Sequence, residues 1–169
     1  MNLKRFNKKQ IKTIRDGLKN GVDVTIFADP KYDWAQMEQI CFGLEDGLDT
    51  SVYTDSGFDA KQMSEIRWGL KDNLNVSVYA DPKYHWKQMH QIRKGLEKGL
   101  DVSIYADPKF NAAQMNQLRM GLNSKLDVSS YANEKYNAGQ MEQLRKGLKA
   151  QNDRPTVQLN KPKGKGLER

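Results

Sequence analysis

Cysteine is nearly absent from this chain, and so is histidine: 169 residues contain one of the first, Cys41, and two of the second, His85 and His90. A single cysteine excludes an intramolecular disulfide framework and agrees with a reducing compartment. The two histidines stand five positions apart, off the i, i+4 spacing that sets two ligands on one helix face, and Cys41 belongs to a distant stretch, so no metal site is expected. No apolar run approaches the roughly 18 residues of a membrane-spanning helix, and the basic N-terminus lacks the apolar stretch of a secretory signal. The chain therefore reads as cytoplasmic, with no membrane partner. Phosphate-cradling, dinucleotide-binding, zinc-protease and nucleophile-elbow motifs are missing too, which leaves no catalytic residue and no cofactor to assign. The expectation is a protein that is not an enzyme.

Net charge is the one composition signal that points to a partner, and its location weakens it. The formal charge is +7, a value that ordinarily suggests nucleic acid or an acidic surface. Residues 1–20 carry seven Lys or Arg against one Asp, and residues 150–169 carry five against two, leaving 16 against 18 for residues 21–149. The basic character lives at the two ends.

What the chain has in abundance is itself. Gln10, Gln36, Gln62, Gln88, Gln114 and Gln140 are each 26 positions from the next, with no insertion or deletion between them. A Gly-Leu pair follows each glutamine after seven residues, from Gly17-Leu18 to Gly147-Leu148. A fixed period of this size is the signature of stacked units that each contact only their neighbours. The reading is an all-α protein, an α-solenoid of six 26-residue units over residues 1–150, followed by a basic, disordered tail over 151–169.

Within a unit, an N-cap residue (Asn7, Asp33, Asp59, His85, Asn111, Asn137) stands three positions before the glutamine, which completes a capping box. Met37, Ile40 and Leu44 then follow the i, i+3, i+7 rule for an apolar helix face. Gly21, Gly47, Asn73 and Gly99 supply helix stops, whereas Lys125 and Gln151 are weaker ones. The second half of the unit is ambiguous. Leu100, Val102 and Ile104 alternate like a strand, which would give an α/β horseshoe with short parallel strands. Asp101 as a second N-cap, flanked by Leu100 and Tyr105 at staple positions, favours a helix of one or two turns instead.

Three recurrences carry the remaining expectations. The glycine inside each helix costs roughly 1 kcal/mol relative to alanine, so the backbone of the neighbouring unit is expected to pack against it. Arg15, Arg67, Arg93, Arg119 and Arg145 share one angular position, broken only by Cys41; they are expected to pair with Asp residues such as Asp101 and Asp107, with Arg67, Arg93, Arg119 and Arg145 as candidate phosphate contacts in the alternative reading. Finally, one i, i+4, i+8 stripe varies freely between copies while its neighbours are fixed. It carries Trp34, Phe42, Trp68, Trp86, His90 and Met120, and this is where recognition residues of a repeat protein are expected. The favoured function is a non-enzymatic scaffold that binds another protein or a peptide helix through this stripe; the alternative is a nucleic-acid binder using the basic ends and the arginine column.

The unit QMxQIRxGLxxGLDVSxYADPKF, most complete from Gln88 to Phe110, resembles a short helical repeat of large uncharacterised proteins from phages and conjugative elements of gut-dwelling Firmicutes. The resemblance spans residues 6 to about 150. It implies a helical repeat in a phage or mobile-element setting and carries over no activity, cofactor or site residue.

Overall fold

The computed structural model describes residues 3–54 and 57–154, and all regular structure among them is helical. Six long helices follow one another: α1 (Lys8–Lys19), α2 (Trp34–Glu45), α3 (Ala60–Lys71), α4 (Trp86–Leu96), α5 (Ala112–Asn123) and α6 (Ala138–Asn152). Each packs against the next in the chain. The strand alternative is overturned: the LDVS segments form single 3-10 turns at Val24–Ile26, Thr50–Val52, Val76–Val78 and Val128–Ser130. In the fourth unit the same place is a turn with the same bonds, Tyr105 N–H to Val102 O at 3.0 Å and Ala106 N–H to Val102 O at 2.8 Å. Val102 and Tyr105, three apart, thus both face the core, and the apparent alternation is a 3-10 pattern too short to distinguish from a strand by period. Residues 155–169, most of the expected tail, lie outside the described residues, and α6 continues two residues past the boundary expected at 150.

All six long helices open with a complete capping box. In each, the glutamine Oε1 accepts from the backbone N–H of the N-cap residue at 2.7–2.8 Å. Its Nε2 does something a capping box does not require. Gln10, Gln36, Gln62, Gln88 and Gln114 donate from Nε2 to the carbonyl of the residue 22 positions ahead, Tyr32, Phe58, Tyr84, Phe110 and Tyr136, at 2.6–2.7 Å. These glutamines are buried, so each amide both starts its own helix and holds the start of the next. Glutamate closes a capping box equally well, but its carboxylate only accepts and has no donor for the forward bond.

Behind the caps lies a continuous core. Met37, Met63, Met89, Met115 and Met141 are fully buried, as are Ile40, Ile66, Ile92 and Leu118 at the next inward position. Tyr53, Tyr79, Tyr105 and Tyr131, from the turn after each helix, are fully buried with them. Their rings explain the recurrent glycine, and they correct the expectation that a neighbouring unit's backbone fills it. A Cβ on Gly43, Gly69, Gly95 or Gly121 would overlap the hydroxyl of the tyrosine ten residues later in the same unit. Three of those hydroxyls donate back into the helix, to Gln39 O (3.3 Å), Glu65 O (3.1 Å) and Gln91 O (3.2 Å). The glycine is the slot that lets each unit close on itself.

Helix ends follow the residue available. Gly21, Gly47 and Gly99 take positive φ, as does Asn73, and Lys125 is driven to φ 57° at the same place. At Gln151 the chain does not turn, and α6 continues to Asn152.

Candidate binding surface

The inward row of Met and Ile leaves the positions i, i+4, i+8 of each helix turned outward. Trp34 is 38% exposed, Phe42 39%, Trp68 42% and Met120 37%, whereas Trp86 and His90 are half-buried. Side chains this large on a half-open surface are unusual for a helix face that needs only to be solvated. Cations cover them. Lys9 Nζ of α1 sits 4.4 Å from the centre of the Trp34 ring on α2, and Lys61 Nζ of α3 lies 5.1 Å from Trp86 on α4. The Arg67 guanidinium lies between two rings, 5.5 Å from Phe42 on α2 and 4.7 Å from Trp68 on its own helix. The structure therefore joins Phe42 to Trp68 across a seam and places Trp34 and Phe42 along one groove. Trp86 and His90 line a separate, shallower depression toward α5 with Asn116.

Both histidines have local partners. His85 caps α4, its Nδ1 accepting from Lys87 N–H at 3.3 Å, and His90 Nδ1 stands 3.1 Å from Glu65 Oε1. Among the described residues no group of three or more His, Cys, Asp or Glu is arranged to hold a metal ion.

The arginine column runs along the seams between helices. Arg67, Arg93 and Arg145 are 7–8% exposed. Each later helix reaches back to the earlier one through Nε: Arg67 to Gln39 (3.2 Å), Arg93 to Glu65 (2.7 Å), Arg119 to Gln91 (2.9 Å) and Arg145 to Gln117 (3.0 Å). Pairing between units is thus observed, but with different partners from those expected. Asp101 and Asp107 instead accept from the backbone N–H groups of Ser103 and Lys109 at 3.0 Å. Those bonds hold both carboxyl groups below the ordinary aspartate range, the Ser103 hydroxyl contributing most at Asp101 and the Lys109 backbone most at Asp107. Arg93 is the most constrained of the column, since Glu65 is itself buried and Glu97 meets the guanidinium from the same helix.

Cys41 stands where the column is broken, and its partner position is changed as well. Thr13 occupies the register of Gln39, Glu65, Gln91 and Gln117. With a short side chain on each side, the α1–α2 seam opens into a groove of about 570 Å³, lined by Trp34, Phe42, Glu38 and Glu45 from α2 and by lysines and Asp16 from α1. The Cys41 thiol donates to Glu45 Oε1 at 3.3 Å. Burial, then Glu45, pushes its pKa up to about 12, so at neutral pH it is a protonated thiol and not a nucleophile. This groove and the lysines over the tryptophans are the features that reading the stripe alone misses. The joint change at Thr13 and Cys41 is the sequence signal that marks them.

No protein-family model matches the chain, and comparison with curated proteins and with solved structures finds no match. Among the described residues no helix is long and apolar enough to cross a membrane.

Proposed function

We propose that the six units form an α-solenoid that serves as a non-enzymatic scaffold, binding another protein through the row Trp34, Phe42, Trp68, Trp86, His90 and Met120. The observation that carries this reading is the half-exposure of Phe42, Trp68 and Met120 at one outward register of α2, α3 and α5, with Trp34 two turns earlier on the same stripe of α2. Aromatic anchors ringed by cations can contribute most of the energy of an interface. Successive helices stand roughly 8–10 Å apart, so the row is long enough to hold a partner helix. The resemblance of the unit to repeats of phage and conjugative-element proteins suggests the setting, a cytoplasmic assembly of a mobile element. Nucleic acid is the less favoured partner, because Arg67, Arg93 and Arg145 are buried in seams and use Nε within the protein.

The test pairs stability with retention of the partner captured from the host. Trp68→Ala should weaken that retention by about 2 kcal/mol while moving the thermal midpoint little, because the Trp68 ring lies outside the buried core. A variant that unfolds assigns Trp68 to the core, and one that keeps full affinity removes the row from the interface. Retention on duplex DNA across a salt series separates the nucleic-acid reading, since phosphate-driven binding falls steeply as salt rises.

A further inference from the structure

Four of the five seams between long helices are filled by an arginine from the later helix: Arg67, Arg93, Arg119 and Arg145. The fifth, between α1 and α2, has Cys41 in that place and the open groove beside it. The walls still carry what a guanidinium needs. Glu45 follows Cys41 by four residues just as Glu97 follows Arg93, and Glu97 ion-pairs with that arginine. Glu45 Oε1 accepts from Asn20 Nδ2 (2.7 Å) and from the Cys41 thiol, and no described residue donates to its Oε2. Glu38 lines the same groove with no hydrogen bond or ion pair among the described residues. Phe42 lines the groove with them, and its ring lies 5.5 Å from the guanidinium of Arg67 in the neighbouring unit.

Two of the three lysines that line the groove are already engaged, whereas Lys19 makes no ion pair among the described residues. Lys12 Nζ is 2.6 Å from Asp16, and Lys9 lies over the Trp34 ring. Lysines and carboxylates balance in the groove lining, so selectivity comes from placement, with Glu38 and Glu45 on the same α2 wall as the Trp34 and Phe42 rings. A planar guanidinium fits that arrangement better than an ammonium, because it can take two parallel bonds from a carboxylate while its face rests on a ring. From these observations we infer that the α1–α2 groove receives an arginine side chain of a partner polypeptide, in the place that the protein's own arginines occupy in the other four seams. The inference rests on the reading of the outward row as a contact surface, and it names the chemistry that surface selects at its N-terminal end.

The probe is the capped tripeptide acetyl-Gly-Arg-Gly-amide, titrated into the full chain while the indole N–H of Trp34 is followed by NMR. The expected result is a saturable shift at Trp34, absent at Trp86, and weaker by about tenfold when the arginine is replaced by its uncharged isostere citrulline. Cys41→Arg, which supplies the guanidinium from within, should abolish the shift and raise the thermal midpoint. Glu45→Gln, which preserves shape, should weaken binding by about fivefold even if Cys41→Arg does not fold. No shift at Trp34, an equal response to citrulline, or an undiminished response in Glu45→Gln would overturn the inference. Loss of partner retention in Trp68→Ala together with a silent groove would keep the outward row as the interface and discard the arginine site alone.

Discussion

Units two to five and unit six carry nearly the same sequence as far as Gly147-Leu148, and with different consequences. Gln88 is buried and makes both of its amide contacts, whereas Gln140 is exposed and, among the described residues, makes only the capping one. Ile92 is fully buried while Leu144, at the same register, is 41% exposed, and Tyr136 is far more open than Tyr84. Gly95 faces the Tyr105 hydroxyl, but among the described residues a Cβ on Gly147 would meet nothing within 4 Å. The difference separates two kinds of work that one repeated residue does. Capping and the inward methionine need only the unit itself and its predecessor, since Met141 is as buried as Met89. The forward amide bond and the buried Ile register need a successor in the stack, whereas the glycine slot needs the tyrosine of the unit's own second half, where unit six has Val157.

Substitutions in matched pairs can break that comparison. The largest effect is expected from Gln62→Glu, which keeps the capping box but sets a buried carboxylate against the carbonyls of Tyr84 and Pro82, where the amide donated at 2.6 and 3.1 Å. Losing two bonds and leaving unpaired oxygens should cost about 3 kcal/mol, measured by denaturant unfolding at neutral pH, whereas Gln140→Glu should change stability by less than about 0.5 kcal/mol. The sign with pH also discriminates. Surrounding carbonyls and burial raise the pKa of the introduced carboxyl, so the deficit is complete above that pKa and shrinks as acidification restores a donor.

Next in size is Gly95→Ala, whose methyl would overlap the Tyr105 hydroxyl and approach Val102 Cγ1 to 2.7 Å. Overpacking of this rigid slot should destabilise by about 2 kcal/mol. Gly147→Ala should instead stabilise by up to about 1 kcal/mol, the helix-propensity difference. Equal responses at the two sites would show that the tyrosine is not what reserves the glycine. A gain smaller than either loss is expected from Lys125→Gly, which relieves a lysine held at φ 57° and should raise stability by about 1 kcal/mol.

The local half of this structure is legible in the sequence because its signals are local. Asp33 three residues before Gln36, Met37 three before Ile40, and Gly47 after Glu45 each fall within one or two helical turns, so propensity and periodicity reach them. The seam is not legible, because its partners are remote or lack a side-chain identity. Gln36 donates to a carbonyl, and whether Tyr or Phe owns that carbonyl leaves no trace in the sequence. Arg93 meets Glu65 28 positions away, beyond any amphipathic window, although stacking the copies in register puts Thr13 opposite Cys41 and reveals the altered seam. The tyrosine that fills the glycine slot sits only ten residues on. It escapes a sequence reading because periodicity says nothing of which way a ring points after a turn.

The glutamine junction bears on how such a chain can change over generations. Its acceptor is a main-chain oxygen, so the contact specifies a position and not a residue type, as the alternation of Tyr32, Phe58, Tyr84, Phe110 and Tyr136 already demonstrates. In-frame duplication or loss of one whole unit in the gene leaves every surviving junction with a donor and an acceptor of the right kind. Array length can therefore vary in whole steps without compensating substitutions, and selection can act on length separately from the side chains displayed along it.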